Sequence, residues 1–269
     1  MDTNANMETV EKTENIRRGI YLLPNLVTTA SLFAAFYSLV ATLDGNFSKA
    51  AVWIFISAVC DGLDGKIARM TGTSSKFGVE YDSLIDVIAF GATPALMVYA
   101  WALRPFGRVG WLAAALFAAC GALRLARFNV QVNTVESKRF VGLPIPAGGC
   151  TVAAIVLFSQ QFGRLTSFNS RVGIMIMVYF LAFLMVSSIK YYSFKDPALF
   201  KRQPIGILML AIGLLVALWA EPVLVIFLIM VSYVLSGPLT YLFTWPRRYR
   251  MEKAVHKGHE SSTPPEAGK

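Results

Sequence analysis

Residues 60–94 read CDGLDGKIARMTGTSSKFGVEYDSLIDVIAFGATP, and the reading of this stretch decides the fold. Asp61 and Asp64 are three residues apart, and Asp82 and Asp86 are four apart. On helices, each pair occupies one face. One pair ends an apolar block and the other begins the next. The segment between them, MTGTSSKFG, is short, and it is expected to break helix at Gly72 and Gly78. The two helices are then antiparallel neighbours, and four carboxylates converge.

The surrounding sequence is that of a membrane protein. Of 269 residues, 55% are hydrophobic and only 15% are charged, against roughly 25% charged in soluble domains. The apolar residues come in blocks of about 20, the length of helix that spans about 30 Å of hydrocarbon. A soluble β protein would show short alternating runs instead. The blocks fall near 24–44, 49–69, 79–103, 109–129, 143–163, 171–189, 204–220 and 222–244. The expected fold is an all-α integral membrane bundle of about eight transmembrane helices. The N-terminal segment, residues 1–23, lacks the apolar core of a signal peptide, and ENIRRGIYLL within it reads as an interfacial helix. Residues 24–245 form the catalytic unit, and the polar, Pro-containing tail 246–269 reads as disordered.

Charge sets the expected orientation. Lysine and arginine cluster in alternate connections: around 12–18, 66–76, 124–139, 190–202 and in the tail. Those segments hold 20 of the 25 basic residues. The other connections hold Lys49, Arg104, Arg108, Arg164 and Arg171. The basic side is cytoplasmic by the positive-inside rule, which puts both termini and the acids toward the cytoplasm of an inner membrane. The net charge of +9 then reflects topology and anionic lipid heads rather than nucleic acid.

Acids inside a membrane block are costly and are functional candidates by default. Four buried carboxylates repel unless they take up protons or a cation. Hard oxygen ligands suit Mg²⁺ or Mn²⁺. The plain alternative is that the acids line a water-filled funnel or pair with Lys66 and Arg69. Gly65 and Gly78 would let a bulky diphosphate approach the backbone, although glycines in membrane helices also serve packing. Arg69 is placed to bind phosphate oxygens, or else it is an interfacial positive charge. Cys60, Cys120 and Cys150 lie in apolar blocks and read as packing residues. His256 and His259 lie in the polar tail.

Asp61, Asp64, Gly65, Ala68, Arg69, Gly78, Asp82 and Asp86 fill all eight fixed positions of the pattern D-x2-D-G-x2-A-R-x8-G-x3-D-x3-D. That pattern is the signature of the CDP-alcohol phosphotransferase superfamily, which the chain therefore resembles. A chance match is on the order of 10⁻¹⁰ per starting position. YLLPNLVTTAS, FGATPA, GALRLARFN, FVGLPIPA and MVSSIKYYSFK are similar to the phosphatidylserine synthases of that superfamily. The resemblance implies transfer of a phosphatidyl group from CDP-diacylglycerol to the hydroxyl of L-serine, releasing CMP. It implies two divalent ions held by Asp61, Asp64, Asp82 and Asp86, with Asp86 also the general base. It implies that Asn25, Thr28, Gly65, Arg69, Ser75 and Gly78 bind the CDP-lipid, with Thr71 and Thr73 as further contacts or as loop residues. Pro24 then starts the first membrane helix.

A zwitterionic acceptor needs a cation for its carboxylate. Arg124 and Arg127, one turn apart at the cytoplasmic end of the fourth block, are the residues chosen. Lys138, Arg139, Lys190 and Arg202 are other candidates. The family is commonly homodimeric. Rival readings are a relative using glycerol 3-phosphate, inositol phosphate or choline, a transporter, and a noncatalytic scaffold. The transporter would show internal repeats, and the 61–86 pattern does not recur.

Overall fold

The computed structural model describes the backbone of residues 2–72, 75–131, 140–163, 167–191 and 204–260. Thr73, Lys138, Arg139 and Arg202 lie outside the described residues, as does the end of the tail. Among the described residues nearly all structure is helical. Helix α1 spans Asp2–Leu43, α2 Phe47–Thr71 and α3 Lys76–Asp86. The rod begun by α3 continues through a π-helical turn, Val87–Ala92, into α4, Thr93–Val98. A second π turn, Tyr99–Leu103, and a 3₁₀ turn end that rod. Then follow α5 Gly107–Gln131, α6 Ile145–Phe162, α7 Phe168–Val186, α8 Pro204–Ala220 and α9 Pro222–Glu260.

Among the described residues five runs are long and apolar enough to cross a membrane: Leu23–Leu43, Lys76–Val130, Ile145–Phe162, Phe168–Val186 and Pro222–Leu242. The second covers both the α3–α4 rod and α5. Helix α2 is missing from this group because Asp61, Asp64 and Lys66 make it too highly charged. What the fold establishes is an all-helical, multi-pass membrane protein.

Helices α1 and α2 form the tightest hairpin. Only three residues connect them, with Gly45 at φ 73° and Asn46 capping α2 by accepting from the Lys49 N–H at 3.1 Å. Small residues at the seam, Ala34, Ala35, Ala41, Ala50 and Ala51, are buried and let the backbones approach. Ser31 and Ser57 then meet at 2.7 Å between their hydroxyls, and each reaches the other's carbonyl oxygen at 3.1 Å. These bonds matter in lipid, where no water competes for them.

Two local expectations need correction. Pro24 does not start a helix: α1 runs through it. Its missing N–H removes only the bond to the carbonyl of Ile20, and the ladder resumes on either side. Gly78 does not break the chain. The break lies between Gly72, left-handed at φ 62°, and Ser75, which caps α3. The Ser75 hydroxyl accepts the Gly78 N–H at 3.0 Å, so Gly78 sits in the first turn of α3.

The π turn after Asp86 has a sequence cause. Pro94 cannot donate to Phe90, so the ladder widens, and the Thr93 N–H bonds to Ile88, five residues back. The bulged backbone at Phe90 packs on α6. A Cβ at Gly149 would lie 2.9 Å from the Phe90 oxygen. Glycine there is what lets α6 close on the rod carrying Asp86.

The segments FVGLPIPA and MVSSIKYYSFK, distant in sequence, are zipped together. Strand β1 (Phe140–Val141) pairs antiparallel with β2 (Lys190–Tyr191). The Gly142 N–H bonds to the Ile189 oxygen at 2.9 Å, and the Leu143 N–H to the Leu184 oxygen at 3.1 Å. Gly142 is at φ 81°, a conformation that glycine adopts without strain. Tyr191 is fully buried against α9.

Candidate active site

The acids lie seven to eleven residues from the Gly72–Ser75 turn, so about 10–16 Å along their helices at about 1.5 Å per residue. Antiparallel packing brings both pairs to the same depth. One carboxylate oxygen each from Asp61, Asp64 and Asp82 falls within 4.8 Å of the others. Asp86 adjoins this trio, and its side chain hydrogen-bonds to that of Asp61. Carboxyl groups this close cannot all stay ionised alone; they share protons or a cation.

Asp64 is the most buried of the four, and its Oδ2 has no hydrogen-bond partner. Thr28 is its neighbour, but the Thr28 hydroxyl donates to the Pro24 carbonyl at 2.9 Å. An orphaned buried carboxylate oxygen costs on the order of several kcal/mol. One oxygen of the same carboxyl group belongs to the cluster with Asp61 and Asp82. An all-oxygen, multiply charged donor set of this size fits a hard divalent ion such as Mg²⁺ or Mn²⁺.

Around the acids, α1 and α3 bring together residues remote in sequence. The Asn25 side-chain oxygen and the Ser75 hydroxyl each lie 3.2 Å from the position a Cβ would take at Gly78. Thr29 and Tyr81, which the sequence reading did not single out, bond through their hydroxyls at 3.0 Å, while Thr29 also reaches the Asn25 carbonyl at 2.7 Å. On α2, Arg69 is exposed and folds back one turn, with one guanidinium nitrogen 4.0 Å from where a Cβ would stand on Gly65. Thr71 donates to the Ile67 carbonyl at 2.7 Å, as a residue in a last helical turn commonly does. Asn25, Ser75 and Gly78 thus form one corner of the site, and Gly65 with Arg69 another.

Arg124 and Arg127 part company. Arg127 is exposed. Arg124 is only 8% exposed, interacts electrostatically with Asp86 and Tyr233, and has its guanidinium carbon 5.6 Å from the Phe128 ring centroid. Its Nε is buried without a partner. Asn129, five residues further along α5, holds this helix in place by donating to the Ser83 hydroxyl on α3 at 2.9 Å. Asn129 and Tyr233 carry no spacing signal in the sequence; only packing reveals them. Among the other basic candidates, Lys190 lies on β2, with its side chain outside the described residues.

An all-helical membrane bundle with converging acids on two consecutive helices defines a membrane-embedded, metal-dependent enzyme class. Residues 21–238 match the sequence profile described as CDP-alcohol phosphatidyltransferase, and the chain belongs to that family. It is similar to a CDP-diacylglycerol–serine O-phosphatidyltransferase of Helicobacter pylori, 37% identical over 83% of this chain and 92% of that protein. It is similar also to proteins of that name from Methanocaldococcus jannaschii, 34% identical over 84% and 96% of the two chains, and from Mycobacterium bovis, 29% identical over 92% of each.

Proposed function

We propose that the chain transfers the phosphatidyl group of CDP-diacylglycerol to the hydroxyl of L-serine, giving phosphatidylserine and CMP. The observation that carries this is the convergence of Asp61, Asp64 and Asp82 within 4.8 Å, with Asp86 bonded to Asp61. Relatives named serine O-phosphatidyltransferases, matching over most of their length, support serine as acceptor over glycerol 3-phosphate, inositol phosphate or choline.

Asp61, Asp64, Asp82 and Asp86 hold divalent metal, Mg²⁺ or Mn²⁺ and two ions, in this reading. When bound, the ions neutralise the diphosphate and stabilise the charge that builds on its oxygens. The residues around them bind and orient. Asn25, Thr28, Ser75, Gly65 and Gly78 shape the CDP site, and Arg69 reaches the phosphates. Asp86 accepts the proton of the serine hydroxyl. The serine oxygen bonds to the phosphorus that carries diacylglycerol, and the bond from that phosphorus to the bridging oxygen breaks. CMP leaves with that oxygen. Arg124 holds the serine carboxylate. Arg127, exposed, is the less favoured partner and serves as an interfacial charge.

The rods from α1 to α9 are read as eight crossings, residues 24–245 as the catalytic unit, and the basic connections as cytoplasmic. The donor lipid then enters sideways from the inner leaflet, and serine and CMP exchange with the cytoplasm. The chain would sit in the cytoplasmic membrane.

The test is CMP release by purified protein in detergent with CDP-diacylglycerol, Mn²⁺ or Mg²⁺ and a panel of alcohols. Release with serine alone is expected. Release only with another alcohol would overturn the acceptor, and none with any would overturn the activity.

A further inference from the structure

We infer that Ile145, at the head of α6, is a positioning residue that selects the acceptor by length. Its side chain is the spacer between the rod carrying Asp86 and the helix carrying Arg124. The inference rests on the proposed transfer to serine, with the acceptor's hydroxyl at Asp86 and its carboxylate at Arg124.

Two contacts join the rod to α5, and they bracket those two residues. The Asn129 amide donates to the Ser83 hydroxyl at 2.9 Å. Gly91 lies against Ala118: a Cβ on Gly91 would stand 3.7 Å from the Ala118 carbonyl oxygen and 3.9 Å from its Cα. Asp86 falls between Ser83 and Gly91, and Arg124 falls between Ala118 and Asn129. The gap between the helices along this stretch is the span an acceptor has to bridge.

Ile145 fills that gap beside Arg124. Its Cδ1 lies 3.5 Å from the point a Cβ would take on Gly91, and 2.7 Å from the corresponding point on Gly121. Gly121 is three residues before Arg124 on the same helix, so the two share a face. Neither glycine has a side chain, so the end of the Ile145 side chain is what separates the two backbones. Ile145 is fully buried. In a close-packed interior a change of even one methylene is felt by the neighbours.

The spacer is stiff. Ile145 stands between Pro144 and Pro146, which restrict the backbone on either side. Its branched Cβ restricts χ1. The Leu143 N–H bonds to the Leu184 oxygen at 3.1 Å, and the Gly148 N–H to the Pro144 oxygen at 3.0 Å. Gly149, bare against the Phe90 backbone, docks the same helix on the rod. The GLPIP stretch thus delivers one side chain to a fixed place between two helices that carry the acceptor's partners.

The test compares serine with L-homoserine, which is one methylene longer, as acceptors for full-length protein. The wild type should prefer serine in kcat/KM by about 10–200-fold, the range that one methylene commands. Ile145→Val removes only Cδ1 and should lower this preference at least about fivefold. The KM for serine should rise, while the KM for CDP-diacylglycerol stays within about twofold. Adding Gly121→Ala to Ile145→Val puts a methyl back near the vacated position and should restore the preference. Ile155→Val, the same truncation at a buried position further along α6, should leave it unchanged. Equal use of both acceptors by the wild type would overturn the inference. So would an unchanged preference in Ile145→Val, an equal loss in Ile155→Val, or a double variant no better than Ile145→Val. Wild-type protein that ignores serine but uses an unrelated alcohol would instead sink the functional reading on which it rests.

Discussion

The side-chain oxygen of Asn25 stands 3.2 Å from the point where a Cβ on Gly78 would be, so α1 and α3 meet at a position that glycine alone fills without displacing a neighbour. The Ser75 hydroxyl is equally close and is already engaged by the Gly78 N–H. The corner proposed to hold CDP is thus made of one capping bond and one close approach.

Gly78→Ala should disturb that corner without unfolding the bundle. The new methyl has to push Asn25 or Ser75 aside by a few tenths of an ångström. The KM for CDP-diacylglycerol should rise about tenfold, equivalent to about 1.4 kcal/mol, while the serine KM changes little. Steady-state rates at saturating serine check this. An unaltered lipid KM would remove Gly78 and Asn25 from the nucleotide site.

The Asn129–Ser83 bond joins α5 to α3 and so sets Arg124 beside Asp86. Asn129→Ala should lower stability by about 1 kcal/mol, the usual net worth of a hydrogen bond. It should also raise the serine KM more than the CDP-lipid KM, because α5 carries Arg124. Thermal unfolding in detergent and the two KM values check both parts. A stability loss with the two KM values altered equally would mean that the bond only braces the fold.

Most of the candidate site is legible in residues 61–86, because helical spacing translates directly into a shared face. The acids, Gly65 and Arg69 follow from that spacing. The all-helical, membrane-spanning character is legible for the same reason: an apolar run of about 20 residues has few other uses. What the sequence hid depends on tertiary approach. Pro24 looked like a helix start, yet one absent N–H does not end a helix whose neighbours pack well. Gly78 looked like a breaker, yet Ser75 caps the helix ahead of it. Arg124 and Arg127 are equivalent in sequence; only burial separates them, with Arg124 turned inward and Arg127 exposed. Tyr233 sits in an apolar run where no spacing marks it, and it packs near Tyr191 from 42 positions further along the chain.

The acid cluster predicts a metal-dependent fold. Divalent ion binding removes the repulsion among Asp61, Asp64 and Asp82 and gives a partner to the orphaned Asp64 oxygen. Mn²⁺ at about 100 times its Kd should stabilise the protein by about 2.7 kcal/mol, seen as a rise in thermal midpoint. Asp64→Asn should lose most of that rise while folding without metal at least as well, since one charge is gone. An equal Mn²⁺ response in Asp64→Asn would move the metal away from this cluster.

The most direct test is the incorporation of labelled serine into lipid by purified protein given CDP-diacylglycerol. The wild type should incorporate label only when Mn²⁺ or Mg²⁺ is present. Asp86→Asn should incorporate none, yet still bind CDP-diacylglycerol, because its amide keeps the size of the side chain but cannot accept the serine proton. Incorporation by Asp86→Asn at the wild-type rate, or by the wild type after removal of all divalent ions, would contradict a metal-dependent transfer carried by the Asp61–Asp86 helix pair.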